Sequence, residues 1–273
     1  MQPEEASSRS TYSMLPVFNI FLKICTPLLA AGLILPMVAL AQTDEIQVYD
    51  AAIAGPGEVE LTIHSNYTPD GREKPDFPGG VTPDHSTNGA IEFAYGVADF
   101  WELGLYLPVY TITNQGDLQI DGAKLRSLWA SPHARQREFF YGVNVEFSYN
   151  SPHWESTRTS LEIRPIAGWH EGRWDFILNP IIDWDFDGLG AADFAPAERV
   201  AYNASDQWAF ALEHYADLGP IRRFDAWSQQ SQTLFAVVDY TPSTVNSVEF
   251  GVGHGFTSAS NSLVLKLIFN HAF

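Results

Sequence analysis

Apolar and polar side chains alternate with a period of two along most of this chain, and that pattern leaves few folds open. The clearest run has apolar residues at every second position. Most of the residues between them are small, polar or charged, including Asn144 and Glu146. Because successive side chains of a strand point to opposite faces, the run predicts a strand with one apolar face. The alternating residues are Phe139, Tyr141, Val143, Val145, Phe147 and Tyr149.

The same alternation recurs from about residue 57 to the last residue, and no segment there has the period of an amphipathic helix. Twelve strands account for it. The predicted strands are residues 57–68, 88–97, 101–111, 122–131, 138–150, 158–170, 173–186, 194–204, 207–217, 231–241, 245–256 and 261–273.

A soluble β-sandwich also alternates, with its apolar face turned inward. Two features favour a membrane barrel instead. Several runs reach about ten residues, the length that a tilted strand needs to cross a bilayer, whereas sandwich strands have about five or six. Aromatic residues such as Trp101, Trp169 and Trp184 stand at the ends of runs, where the interfacial girdles of membrane barrels lie.

The predicted connections alternate between short and long. Residues 98–100 and 171–172 form short turns, whereas residues 68–86 and 218–230 form long loops. Short periplasmic turns and long outer loops are typical of outer-membrane barrels. We therefore predict an all-β fold, a closed antiparallel up-and-down transmembrane β-barrel of about 12 strands, with 10 or 14 also compatible with the pattern.

Residues 1–41 have the order of a secretory signal peptide. Lys23 precedes an apolar stretch that ends in small residues, and polar Gln42 follows. This order predicts cleavage after Ala41, and Met14 is an alternative start. An N-terminal membrane anchor is the other interpretation of the stretch.

After cleavage, residues 42–56 are expected to form a periplasmic N-terminal arm or an extra strand, and residues 57–273 the outer-membrane barrel. The only cysteine, Cys25, lies in the signal. The mature chain therefore cannot form disulfides or use thiol chemistry. A formal net charge of −18 disfavours nucleic acid as a partner, and we expect no cofactor and no metal.

The chain ends on an aromatic residue, Phe273, in an alternating strand. Together with Leu265, Leu267 and Phe269 it resembles the C-terminal signal that bacterial outer-membrane proteins present to the assembly machinery. The expected partners are therefore that machinery, outer-membrane lipid and lipopolysaccharide.

The polar face of the predicted strands collects charged residues, with acidic ones outnumbering basic ones about two to one. On the lipid face each would cost about 2–4 kcal/mol near mid-membrane, so folding alone explains why they point inward. They form either a wall of cross-strand ion pairs or a cation-favouring path for a small-molecule substrate. The predicted lumen-lining residues are Glu92, Glu102, Lys124, Arg126, Glu146, Glu162, Arg164, Asp175, Asp183, Arg199, Glu213, Asp239, Glu249 and Lys266.

An outer-membrane lipid hydrolase would need a Ser or Thr nucleophile beside a His base. Three neighbouring pairs supply these residue types, and neighbours on one strand point to opposite faces, which weakens the first of them. The pairs are His64 with Ser65, His85 with Ser86, and His153 with Ser151.

Three segments resemble uncharacterised proteobacterial outer-membrane barrels near the phenol-degradation meta-pathway (MetA-pathway) family. They are residues 92–109 (EFAYGVADFWELGLYLPV), 45–50 (EIQVYD) and 208–219. The resemblance covers most of the mature chain and carries no catalytic motif. It implies a barrel and the uptake of small hydrophobic compounds.

The sequence thus predicts an outer-membrane channel or transport barrel with an acidic lumen. A sealed structural or interaction barrel that displays outer loops is the alternative, and a lipid hydrolase is the less favoured third hypothesis.

Overall fold

The computed structural model describes residues 44–186, 188 and 191–273, and strands make up most of this part of the chain. One short 3-10 helix, Ala134–Gln136, lies in a turn. No helix within the described ranges is long and apolar enough to cross a membrane. The strands are β1 (Val59–Asp70), β2 (Thr87–Ala98), β3 (Trp101–Ile112), β4 (Leu118–Ala130), β5 (Phe139–Asn150), β6 (Thr159–Glu171), β7 (Trp174–Asn179), β8 (Ile182–Trp184), β9 (Asp193–Phe194), β10 (Ala197–Asn203), β11 (Trp208–Asp217), β12 (Ser231–Tyr240), β13 (Asn246–Gly255) and β14 (Leu263–Ala272).

Antiparallel pairing joins these strands into a closed ring. Each strand from β1 to β6 pairs with the next, as does each from β10 to β13. The last strand, β14, pairs with β1 and closes the ring, with Ile63 opposite Phe269. β7 and β8 both lie opposite β6 as two parts of one crossing, and β9 and β10 form the next crossing. The twelve crossings confirm the predicted closed barrel and its strand number.

The two divided crossings are neighbours, and a proline marks each break. β7 ends just before Pro180, and β10 begins just after Pro196. Proline has no N–H to give to a strand ladder, which explains the interruptions. One hydrogen bond, from N of Ala195 to O of Ile181 at 3.0 Å, spans the gap. The predicted strands 173–186 and 194–204 are therefore present but not continuous.

The barrel is apolar outside, and its interior holds buried polar and charged side chains beside an apolar cluster that includes Phe140 and Ile166. In β5, Tyr141 and Tyr149 are more than half exposed, whereas Asn144 and Glu146 are at most 1% exposed. A soluble sandwich would bury the first pair and expose the second. The exposed apolar face is the one that a lipid bilayer would cover.

The two ends of the barrel differ in their connections. Residues 99–100 and 172–173 are short turns at one end, and residues 71–86 and 218–230 are long loops at the other. Aromatic pairs stand next to the short-turn end, where Trp208 stacks on Tyr240 with 4.4 Å between ring centroids. In outer-membrane barrels the short turns are periplasmic and the long loops extracellular.

The final strand alternates as its sequence predicts. Val264 and Lys266 are buried, whereas Leu267 is exposed and Leu265 and Phe269 are half-buried. Phe273 follows the strand and is 72% exposed.

Candidate functional site in the barrel interior

The described chain begins inside the barrel. Residues 44–58, here called the N-terminal segment, form no strand and lead directly into β1. Asp44 is fully buried, and Tyr49 and Ala54 are almost so. This corrects the expectation of a periplasmic arm or an extra strand for residues 42–56, because the described part packs against inward-facing side chains of the wall. Residues 42 and 43, and the predicted signal peptide, lie outside the described residues.

The N-terminal segment leaves the interior at the short-turn end. There the N–H of Gly57 donates to O of Gly96 in β2 at 2.8 Å. A Cβ atom on Gly96 would lie 2.1 Å from O of Gly55, so only glycine permits this approach. Three residues earlier in the segment, the N–H of Ala54 donates to Oε2 of Glu102 at 2.6 Å.

Tyr49 holds the middle of the segment. Asn179 of β7 accepts from the N–H of Tyr49 at 2.7 Å and donates to its carbonyl at 3.0 Å. The tyrosine ring lies between two guanidinium groups, 4.3 Å from that of Arg164 and 5.6 Å from that of Arg126. Its hydroxyl hydrogen-bonds to that of Tyr106 at 2.6 Å. Side chains from β3, β4 and β6 therefore meet at this one residue, and cation–π attraction adds to its burial.

Wall side chains also bind the backbone carbonyls near the start of the described segment. Asn66 of β1 donates to O of Asp44 at 3.0 Å, and Lys266 of β14 donates to O of Ile46 at 3.2 Å. Across the barrel, Nη1 of Arg164 donates to O of Gln47 at 3.1 Å. Because a buried carbonyl without a partner is costly, these three contacts fix the path of the segment.

The segment contributes two carboxylates to the interior. Asp44 pairs with Nζ of Lys124 at 2.6 Å, and Glu45 lies 3.6 Å from Nη1 of Arg164. Burial raises the pKa of Glu45, but the guanidinium of Arg164 and other nearby cations lower it more, so its pKa lies below the ordinary 4.5. Glu45 is therefore charged at neutral pH and attracts the wall that it faces.

Arg126 of β4 organises the first ion-pair network, which comprises His64, Glu92, Glu102 and Arg126. Its Nε donates to Glu92 at 2.6 Å, and its Nη2 lies 2.7 Å from Glu102. Nε2 of His64 hydrogen-bonds to the other oxygen of Glu92 at 3.3 Å. All four side chains are at least nine-tenths buried.

The second ion-pair network lies on the part of the wall formed by strands β10 to β14. Arg199 pairs with Glu213, with Asp239, and with Glu249 at 3.4 Å. Lys266 pairs with Glu213, and with Glu249 at 2.5 Å. Two cations thus share three carboxylates, which leaves this wall net acidic.

The remaining predicted lumen residues are divided among three places. Glu146 pairs with Lys124 at 3.1 Å, and Glu162 with Nε of Arg164 at 2.7 Å. Asp183 lines an interior cavity of about 60 Å3 beside the N-terminal segment, which is room for a few water molecules. Asp175 stands apart, near the short-turn end.

Asp175 belongs to a separate cluster. Nδ1 of His170 hydrogen-bonds to it at 2.6 Å, and Nδ2 of Asn203 donates to it at 2.8 Å. It contacts neither ion-pair network in the described structure, so parity gave its direction but not its depth in the barrel.

A long loop reaches the interior from the opposite end. Trp154, in the loop after β5, packs against a buried cluster that contains Tyr106, Ala90 and Val109. Tyr106 therefore belongs to the cluster that Trp154 packs against, and its hydroxyl contacts Tyr49. The interior is narrowed from both ends.

The Ser and His residues considered for hydrolysis hydrogen-bond elsewhere. His64 binds Glu92, and His85 binds Asp84 at 2.7 Å. His153 binds Asp121 at 2.9 Å. The hydroxyls of Ser86 and Ser151 donate to backbone carbonyls of Pro83 and Ile120. None of the three pairs has the nucleophile–base hydrogen bond in the described structure.

The sequence pattern does not mark the residues that close the interior, which are Tyr49, Tyr106, Trp154 and the two carboxylates of the segment. Tyr106 alternates with outward-facing leucines, so parity placed it inward. Nothing periodic marks the N-terminal segment, because its partners are side chains on distant strands rather than a neighbouring ladder.

A closed barrel of twelve antiparallel crossings with an apolar exterior and a charged interior is the architecture of outer-membrane channels and porins. Solved structures of such proteins have a similar fold. An outer membrane channel from Pseudomonas putida F1 superposes with a TM-score of 0.59 at 11% identity, over 84% of this chain and 100% of that one.

Two further structures are similar. The KdgM porin has a TM-score of 0.53 at 8% identity, over 78% of this chain and 99% of that one. The NanC porin has a TM-score of 0.52 at 10% identity, over 78% and 98%. No protein-family model matches the sequence, and neither does any curated protein. At these identities the likeness shows the fold alone.

Proposed function

We propose that this protein is an outer-membrane channel for small solutes, that its N-terminal segment closes it at rest, and that its lumen favours cations. The observation that carries the proposal is the way the interior is filled. Residues 44–58 belong to no strand and occupy it through hydrogen bonds and ion pairs, together with an apolar cluster in which Val48 and Ala51 pack with wall residues. The polar contacts exchange for water at modest cost, since each is worth about 0.5–3 kcal/mol net.

The barrel is wide enough for this role once the segment moves. Eight-stranded barrels are filled by side chains, whereas barrels of 16 to 18 strands leave an aqueous channel. Twelve crossings lie between these limits. The path left by the segment would be lined by both ion-pair networks, in which carboxylates outnumber cations.

A sealed structural barrel is the second candidate, and the dense pairing of interior charges favours it. Arg126, Glu92 and Glu102 are almost inaccessible to solvent, and the cavity beside the segment holds only about 60 Å3. In this hypothesis the ion pairs serve folding, and the loops carry the function.

Deletion of residues 44–54 separates the two hypotheses. The variant retains Gly55–Glu58, so the turn into β1 is kept. Single-channel recording in planar bilayers should show small or infrequent openings for the full chain and a larger, persistent, cation-selective conductance for the deletion variant. Faster gel migration before boiling than after it would establish that both barrels are folded.

A folded deletion variant without conductance would refute the channel and favour the sealed barrel. If the deletion does not fold, Tyr49→Ala provides the same test, because it removes the central contact and keeps the chain length. Asp175→Asn is the matched control. This carboxylate lies outside both networks, so its loss should leave conductance and selectivity unchanged.

The remaining assignments belong to the same proposal. The signal peptide with cleavage after Ala41 would export the chain, and the final strand with Leu265, Leu267, Phe269 and Phe273 would present the assembly signal. Outer-membrane localisation is supported by the shared fold of the channels and porins described above. Membership of the phenol-degradation meta-pathway family, with hydrophobic compounds as substrates, rests on the sequence resemblance and is tested by uptake assays with such compounds.

A further inference from the structure

The loop between β11 and β12, residues 218–230, combines exposed aromatic and basic side chains. Phe224 is 50% exposed and Trp227 is 63% exposed. Arg222 and Arg223 precede them in the sequence and are also exposed. Consecutive arginines are unusual in a chain with 15 basic and 33 acidic residues. We call residues 218–230 the aromatic-basic loop.

The aromatic-basic loop is fixed in place, so its exposed side chains are held at the surface. The N–H of Leu218 donates to O of Phe194 at 3.0 Å, and that of Ile221 to O of Ala192 at 2.9 Å. Within the loop, the N–H of Asp225 donates to O of Leu218 at 2.9 Å. A hydroxyl of the next loop, Ser258, donates to O of Ser228 at 2.7 Å.

The position of Phe224 follows from strand register. Asp183 and Asp193 are opposite each other, and Asp183 lines the interior cavity. The adjacent pair, Ile182 and Phe194, must therefore face outward. Phe224 stacks on Phe194 with 6.0 Å between centroids and an 18° angle between ring planes. The aromatic-basic loop thus extends the lipid-facing wall just beyond the strand ends.

Aromatic and arginine side chains in one loop at this height match the chemistry of a membrane boundary. Aromatic side chains prefer the interface between hydrocarbon and headgroups. Guanidinium groups bind phosphate with two parallel hydrogen bonds, and they do so best where water is scarce. The long-loop end is the extracellular end of such barrels, where the facing leaflet carries lipopolysaccharide.

We propose that the aromatic-basic loop is a lipopolysaccharide-binding site. Arg222 and Arg223 bind the phosphate groups at the lipid boundary, and Phe224 and Trp227 contact the adjoining acyl region. The site rests on the outer-membrane placement proposed above, but not on conduction, because it lies outside the barrel.

The test uses full-length protein purified in detergent and titrated with lipopolysaccharide, with binding measured by calorimetry. The double variant R222A/R223A should bind about tenfold more weakly, equivalent to about 1.4 kcal/mol. Phe224→Ala should weaken binding by a smaller factor. Arg135→Ala is the matched control, since Arg135 is an exposed arginine in a turn at the short-turn end. This variant should bind lipopolysaccharide with the affinity of the unmodified chain.

Two further arms distinguish the source of the phosphate. Dephosphorylated lipopolysaccharide should bind the unmodified chain as weakly as the intact lipid binds R222A/R223A. Millimolar inorganic phosphate should not displace the intact lipid. Equal affinity of the unmodified chain and R222A/R223A would overturn the proposal, and so would displacement by inorganic phosphate, which would indicate a site for free anions. Heat-modifiability of each variant on a gel checks folding, and unchanged conductance separates this result from the channel hypothesis.

Discussion

The two ion-pair networks use similar residues but differ in their access to water. In the first, the side chains of Arg126, Glu92 and Glu102 are at most 7% exposed. In the second, Asp239 is 24% exposed and Glu249 is 18% exposed. Both networks lie on antiparallel strands of the same barrel, so the strands alone do not explain the difference in exposure.

The N-terminal segment explains it. Tyr49 lies over Arg126, and the N–H of Ala54 donates to Glu102, so the segment covers the first network directly. Within the described residues, its hydrogen bond to the second network runs from Lys266 to the carbonyl of Ile46, and the Ile46 side chain packs against an apolar cluster of the same strands. The first network therefore depends on the segment for shielding from water and for hydrogen bonds. The ion pairs of the second network form among wall residues.

Arg126→Ala should have the largest effect. It leaves Glu92 and Glu102 buried without their cation, which should lower the free energy of unfolding by about 3–5 kcal/mol. Arg199→Ala should cost about 1–3 kcal/mol, because water reaches Asp239 and Glu249. Urea unfolding in lipid vesicles measures both.

We attribute the larger effect of Arg126→Ala to the two buried carboxylates that it leaves without a cation. A triple variant tests that cause. Arg126→Ala combined with Glu92→Gln and Glu102→Gln removes the charges that the arginine neutralised, so much of the lost stability should return. Equal losses for Arg126→Ala and Arg199→Ala would contradict the difference in shielding.

Tyr49→Ala should come next, with a loss of about 3 kcal/mol from the interaction of the segment with the wall. The ring fills the space between two guanidinium groups, and alanine leaves a cavity there. Tyr49→Phe keeps the ring and loses only the hydrogen bond to Tyr106, which is worth about 1 kcal/mol. Open probability in bilayer recordings should therefore rise strongly for the first variant and slightly for the second.

Asp44→Asn should have a smaller effect, confined to the segment. It removes the charge that meets Lys124, and a hydrogen bond to a charged group is worth about 1.5–3 kcal/mol. Glu249→Gln is the matched change at a carboxylate that pairs with wall residues Arg199 and Lys266. Protease access to residues 44–58 should increase for the first variant and stay unchanged for the second, and equal access would disprove the asymmetry.

Acid should have the smallest effect. The pKa of Glu45 is lower in the closed barrel than its ordinary 4.5, so its contribution is complete above pH 4.5 and is lost as the pH falls through the lowered value. The expected result is a gain in conductance at acid pH in bilayer recordings. In Glu45→Gln this part of the acid response should disappear, while any response from other carboxylates should persist.

The sequence predicted the barrel because each strand carries its own signal. The run from Phe139 to Tyr149 lies within the observed β5, and its inward residues Asn144 and Glu146 are buried there. Parity is a local property, so it survives errors of one or two residues in strand ends. Proline adds a local signal as well, since Pro180 and Pro196 mark the breaks.

What closes the interior could not be predicted in the same way. The residues from Asp44 to Glu58 have no period, and their partners lie 22 to 220 positions away, as with Asn66 and Lys266. A single sequence holds no trace of such pairings. Asp175 illustrates a second limit, because alternation gives the face of a residue but not its depth.

The covalent link between the N-terminal segment and β1 makes the segment a tethered ligand. Tethering by a short linker gives an effective concentration on the order of millimolar. An intrinsic dissociation constant of only about 10 μM would then keep the barrel closed about 99% of the time. A soluble competitor would need millimolar concentrations to replace it. Conversely, a synthetic peptide with the sequence of residues 44–54 should block the deletion variant only when added at micromolar concentrations or above.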